Sequence, residues 1–151
     1  MAAREGKPIT YHWLRLRTVA HPTESVEKVT QALRFVAGDA TIQDTVLESH
    51  FGLEQHVLEV AIDRSRALRD ILARLFAIPG CLERLRTELE KRTDEDGVFY
   101  ARVDKQEAFA GRLVLTDGED CVQLRLKVEA YPTSREAALA ALGRLLETGK
   151  P

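Results

Sequence analysis

The residues most able to do chemistry in this chain are cations set at every second position. In the run Ile9 to Ala20, Tyr11, Trp13, Arg15 and Arg17 fall on one side, while His12, Leu14, Leu16 and Thr18 fall on the other. Farther on, Arg125 and Lys127 share a side with Gln123, Glu129 and Tyr131, opposite Val122, Leu124, Leu126, Val128 and Ala130. A period of two is that of a strand with one buried and one solvated face, so these cations would stand out from a sheet. With Tyr100, Arg102 and Arg112 added, the set offers guanidinium and ammonium groups, which pair with phosphates, and flat rings, on which unpaired bases stack. A solvated sheet surface uses the same residue types, because exposed Lys and Arg pair across strands with groups such as Glu129 and discourage edge-to-edge association.

Other chemistries have thinner support. Asp94-Glu95-Asp96 before Gly97 could share a hard cation, but the run lacks the regular oxygen spacing of a calcium loop. It also sits where a turn is needed, as does Thr116-Asp117-Gly118-Glu119-Asp120. His12, His21, His50 and His56 form no HExxH pair, and there is no glycine-rich phosphate loop. Cys81 and Cys121 stand far apart, outside any metal-ligand spacing, and read as small reduced core residues. The pattern predicts no catalytic residue, no metal and no cofactor.

Several elements must position the cations. Ile9 to Ala20 is the first strand, stopped by Pro22. Thr23 can cap a helix with Val26, Val29, Leu33 and Val36 on one face and Gly38 at its end. Thr41 to Ser49 and Gln55 to Ile62 read as an antiparallel hairpin around His50-Phe51-Gly52. Ser65 can cap a helix whose inward stripe is Leu68, Ile71, Leu72, Leu75 and Phe76. Pro79-Gly80 breaks it, and a second helix covers Leu82 to Arg92. Strand Val98 to Val103, a corner over Lys105 to Ala110, and two strand-like runs joined by Thr116-Asp117-Gly118 follow. After Pro132, Ser134 can cap a helix over Ala137 to Leu146 with Ala138, Leu139, Leu142, Leu145 and Leu146 inward. The order β-α-β-β-α-α-β-β-β-α predicts a two-layer α+β fold: a mixed or largely antiparallel sheet, helices on one face and the other face open.

A chain of 151 residues, 44% hydrophobic and 30% charged, suits one domain with its own core. We expect a flexible N-terminus over 1–8, a single α+β domain over 9–147 and a frayed tail over 148–151. No segment approaches the roughly 20 apolar residues of a membrane span, so a soluble, cytoplasmic protein with no membrane partner is expected. The net charge of −2 argues against a strongly basic polyanion binder, but its distribution is uneven. Residues 1–38 carry +3, 39–63 carry −6 with no Lys or Arg, 64–92 carry +4, 93–121 carry −5 and 122–151 carry +2. Local patches decide where an anion could bind. The basic outer side of the helices over 64–92 is a rival surface, although several of its charges can pair along the helix.

The strand HWLRLRTVAH, the turn HFG, the run DEDGVFYARVDKQEAFAGRLVLTDG and the closing LKVEAYP together resemble the archaeal RNA-binding proteins predicted to be exosome subunits. The resemblance covers roughly Tyr11 to Leu146. It implies a domain similar to the ribosomal-protein-five family, also described as double-stranded-RNA-binding-like, in an archaeal cytoplasm. It further implies RNA binding connected with RNA processing, the exosome or ribosome maturation. Lys105 and Gln106, in the DKQ group, inherit importance either as contacts or as structure. The expected RNA-binding residues are therefore Trp13, Arg15, Arg17, Arg102, Lys105, Gln106, Arg112, Arg125 and Lys127, in a non-enzymatic accessory protein holding structured RNA with little sequence readout. The acidic hairpin and turns would confine the footprint to a strip, giving modest affinity and a shallow salt dependence, or requiring exosome- or ribosome-associated protein partners. Two other classes remain open: a protein-interaction module that docks on a processing complex or on a second copy of itself as a homodimer, and an enzyme using the acidic turns with a metal.

Overall fold

Among the described residues period-two alternation becomes five strands: β1 (Tyr11–Ala20), β2 (Gln43–Glu48), β3 (Glu54–Ile62), β4 (Phe99–Asp104) and β5 (Cys121–Val128). They form one antiparallel sheet in the order β2-β3-β1-β5-β4. Five helices accompany it among the described residues: α1 (Val26–Ala37), α2 (Ser65–Phe76), α3 (Cys81–Thr87), α4 (Lys105–Phe109) and α5 (Arg135–Thr148). The computed structural model describes residues 9–151, so the N-terminus expected to be flexible, 1–8, lies outside the described residues. The α+β class with a largely antiparallel sheet is as predicted. The described residues divide into two compact units, Leu14–Ile62 with Tyr100–Arg125, and 9–13 with Asp63–Phe99 and Leu126–Pro151.

In the unit built on Leu14–Ile62, β1 and β3 run antiparallel with Leu14 opposite Ile62, Arg17 opposite Glu59 and Ala20 opposite His56. Leu14, Leu16, Thr18, Leu58, Val60 and Ile62 are buried, while Arg15 and Arg17 are exposed. Helix α1 closes the buried side with Val29, Ala32, Leu33 and Val36 and packs on β3 and α4. Burying a leucine such as Leu33 contributes about 2 kcal/mol. The helix cap falls two residues later than predicted, at Ser25. Thr23 lies in a turn closed by Glu24 N–H to the His21 carbonyl at 2.9 Å, and Ser25 accepts from Lys28 N–H instead.

One predicted strand is absent. The run before Thr116 meets β4 only at the single bridge Val103↔Leu115. Its start is drawn back toward α4, where Arg112 N–H donates to the Glu107 carbonyl at 2.9 Å and Gly111 turns with φ 85°. Only its far end lies beside β4, through Asp104 N–H to Val114 O and Thr116 N–H to Arg102 O.

In the other unit, α2 buries the predicted stripe of Leu68, Ile71, Leu72, Leu75 and Phe76, with Arg64 in place of Ser65 at the N-cap. Helix α3 ends at Thr87, short of the predicted Arg92. There the Glu88 carboxylate draws in the Arg84 guanidinium at 3.1 Å and the Arg92 guanidinium at 3.0 Å, and the chain turns into the bridge Thr93↔Phe99. Helix α5 is capped by Ser134, as predicted, and buries Ala138, Ala141, Leu142, Leu145 and Leu146; Leu139 is only half-buried.

The alternation of β1 slips at its first residues. Tyr11 is buried and His12 exposed, the reverse of the expected sides. The Tyr11 ring lies 5.9 Å from the Arg69 guanidinium, and burial pushes its phenol up to about 12 despite that cation.

Candidate nucleic-acid interface

The pleat places the cations and the register sets their neighbours. In the unit containing Leu14–Ile62, Arg17 from β1 and Arg102 from β4 flank a cleft of about 150 Å³, with His21 and Gln123 also on its wall. Arg102 is held by its own turn, donating from Nη1 to the carbonyls of Asp117 at 3.3 Å and Gly118 at 3.5 Å. Both bonds use Nη1, which leaves further guanidinium donors for an anion. Arg17 stands directly opposite Glu59, so its field is partly offset by the acidic hairpin. Arg15 and Arg125 line a wider depression of about 660 Å³ with Gln43 and Glu59.

The floor of the cleft is Lys105. Its side chain is 3% exposed, and the ammonium lies 2.9 Å from the Val19 carbonyl, 2.9 Å from Glu24 Oε1 and 2.8 Å from Asp120 Oδ1. These three acceptors match its three N–H donors. Burial alone would lower its pKa, yet the hydrogen bonds and charges of Asp120 and Glu24 outweigh burial and raise it. Lys105 therefore ties the end of β1, the loop before α1 and the acidic turn into one piece. Gln106 supports the same turn, donating to Asp120 Oδ2 at 3.1 Å. Lys105 is thus fully engaged inside the protein, while Gln106 remains exposed beside it.

Arg112 sits outside the cleft, on the loop after α4, bound to Glu107 Oε2 at 2.6 Å. That hydrogen bond raises the Arg112 pKa and lowers that of Glu107. In the other unit, Trp13 is half-buried on β1 and Lys127 donates its ammonium to the Asp96 carbonyl within the acidic turn. Within that turn Asp94 Oδ1 accepts from the N–H groups of Asp96 and Val98, both at 2.9 Å. Among the described residues no group of three or more His, Cys, Asp and Glu converges as metal ligands would. Cys121 borders the cleft, but burial raises its thiol pKa, the opposite of an activated nucleophile.

Sequence reasoning missed His21 and Gln123, and it missed a second depression of about 280 Å³ where Lys28 lies 5.9 Å from the Phe109 ring. The alternation of β5 could have pointed to Gln123, which shares a side with Arg125. Nothing local pointed to His21 or to the Lys28–Phe109 pair.

The acid limb of stability follows from Asp120. Burial opposes its ionisation, but the hydrogen bonds from Lys105 and Gln106 prevail and lower its pKa. A folded pKa below the unfolded one gives stability that is present above the ordinary carboxylate range and lost as pH falls through it. We expect Asp120→Asn to cost about 1 kcal/mol at neutral pH, the side chain being half-exposed. The deficit should shrink in acid. Urea midpoints at both pH values check this, and a deficit constant with pH would refute it.

The chain is thus an α+β domain with guanidinium groups spaced along one face of its sheet. The family model described as RNA binding matches residues 13–128, and the chain belongs to that family. It is 35% identical over 144 residues to an RNA-binding protein of Pyrococcus abyssi, covering 90% of this chain and 94% of that one. The DUF54 protein of Methanothermobacter thermautotrophicus shares 33% identity and a TM-score of 0.76 over 92% of this chain and 99% of that one. A DUF54 protein of Sulfolobus solfataricus, at 21% identity and TM-score 0.67 over 91% and 98%, shares the fold. No helix among the described residues is long and apolar enough to cross a membrane.

Proposed function

We propose that this chain is a non-catalytic RNA-binding accessory protein, acting in the cytoplasm in RNA processing, exosome function or ribosome maturation. The observation that carries the reading is the Arg17–Arg102 cleft, two guanidinium groups from different strands above a locked floor. Arg15 and Arg125 extend the contact within the same unit. In the other unit, taken by itself, Trp13 and Lys127 are further candidate contacts, while Arg112 contributes only where RNA displaces Glu107. Such a set holds phosphate and sugar and reads little sequence. Lys105 and Gln106 act by holding the cleft in shape.

The test is RNA retention by Arg17→Ala/Arg102→Ala against the unaltered chain, using a structured RNA and a single strand, over a range of salt. Losing two phosphate contacts should weaken binding about tenfold or more at low salt and reduce the salt slope by about 1.5. Retention and slope equal to those of the unaltered chain would sink the proposal. Since both side chains lie on the open face, an unchanged urea midpoint separates lost binding from lost folding.

A further inference from the structure

The β2–β3 hairpin is built unlike the rest of the sheet. β2 is the edge strand, and all six of its residues are exposed. The hairpin's apolar side chains face solvent: in β2 Val46 and Leu47 are each 49% exposed, and in the loop Leu53 is 53% and Phe51 88% exposed. Edge strands are usually protected by Lys, by Pro or by a bulge, because their outer N–H and C=O groups template another strand. Here none of those residues is present: between Asp39 and Asp63 there are six carboxylates and no Lys or Arg. The register adds a further point. Glu48 lies directly opposite Glu54, a like-charge pair that costs the isolated hairpin stability and that an incoming cation would relieve.

We propose that the outer edge of β2 is a docking site for a basic, extended protein segment that adds as a sixth strand. Its Lys or Arg would stand beside Glu48 and reach toward Glu54 on the same face, and its apolar side chains would lie on the other face against Leu47. Main-chain hydrogen bonds to the free edge supply affinity, and the carboxylates select the partner's charge. RNA does not fit, because the hairpin repels a polyanion. A second copy of the chain does not fit either, because pairing β2 with itself would bring two all-acidic hairpins together. The inference does not rest on the RNA reading, as it concerns the edge remote from Arg102 in strand order.

The probe is a short blocked peptide alternating lysine with valine, with a glutamate–valine counterpart as control. Amide hydrogen exchange along 43–48 is followed in the full chain. The lysine peptide should slow exchange at alternate β2 positions about tenfold and weaken with salt. Glu48→Gln/Glu54→Gln, at surface positions, should lose about tenfold in peptide affinity while leaving RNA retention intact. Equal protection by the glutamate peptide, or none by the lysine peptide at millimolar concentration, would overturn the proposal. So would a concentration-dependent dimer abolished by Leu47→Lys, or RNA crosslinks to the hairpin.

Discussion

Replacing Lys105 with methionine is expected to destabilise the fold by about 3 kcal/mol. The substitution keeps the buried stem and removes the ammonium, leaving the Val19 carbonyl without its donor and the Glu24 and Asp120 carboxylates without their cation. Removing one partner of a buried pair is costly because the other charge stays desolvated. The estimate sits at the low end of that range because Asp120 is half-exposed and water can take over part of the ammonium's role. A urea midpoint shift at unchanged slope would measure it. The triple change Lys105→Met/Glu24→Gln/Asp120→Asn should recover part of the loss, since it removes the orphaned charges too. A single-variant midpoint within error of the unaltered chain would show that the cluster is not what holds the cleft together.

Gly97→Ala is the second large effect, also about 3 kcal/mol. Gly97 has φ 79°, where a side chain strains the backbone by roughly 1–2 kcal/mol. An added Cβ would also lie 2.8 Å from Ala138 Cβ, and that methyl belongs to a buried position of α5 with no flexible end to move aside. Gly111 is the control: its φ is 85°, but nothing lies within 4 Å of an added Cβ, so Gly111→Ala should show the backbone strain alone. The double change Gly97→Ala/Ala138→Gly should relieve the overlap, offset by about 1 kcal/mol for glycine inside a helix. Equal losses at Gly97 and Gly111 would remove close packing from the explanation.

These two positions mark where sequence reading stops. The alternation of β5 and the stripe of α2 were legible because each is a local periodicity that one buried face imposes on consecutive residues. Lys105 was visible only as part of a resemblance. Its partners Val19, Glu24 and Asp120 come from segments joined only after β1, the loop before α1 and the acidic turn have met. Gly97 reads as a turn glycine, but its contact with Ala138 belongs to packing. Arg17 was placed on the correct face, yet the Glu59 that tempers it could be known only from the β1–β3 register. The strand expected before Thr116 failed because Gly111 and the Arg112–Glu107 contact redirect the chain, and such a side-chain contact leaves no periodic trace.

The half-buried indole of β1 has a use of its own. Trp13 is the single tryptophan of the chain, so fluorescence excited at the red edge of the protein absorption reports one known position on one strand. A nucleobase stacked there would quench that emission, whereas a peptide lying along β2 would leave it largely unchanged. The molecule thus carries an unlabelled optical gauge that can separate occupancy of its sheet face from occupancy of its edge in a single cuvette.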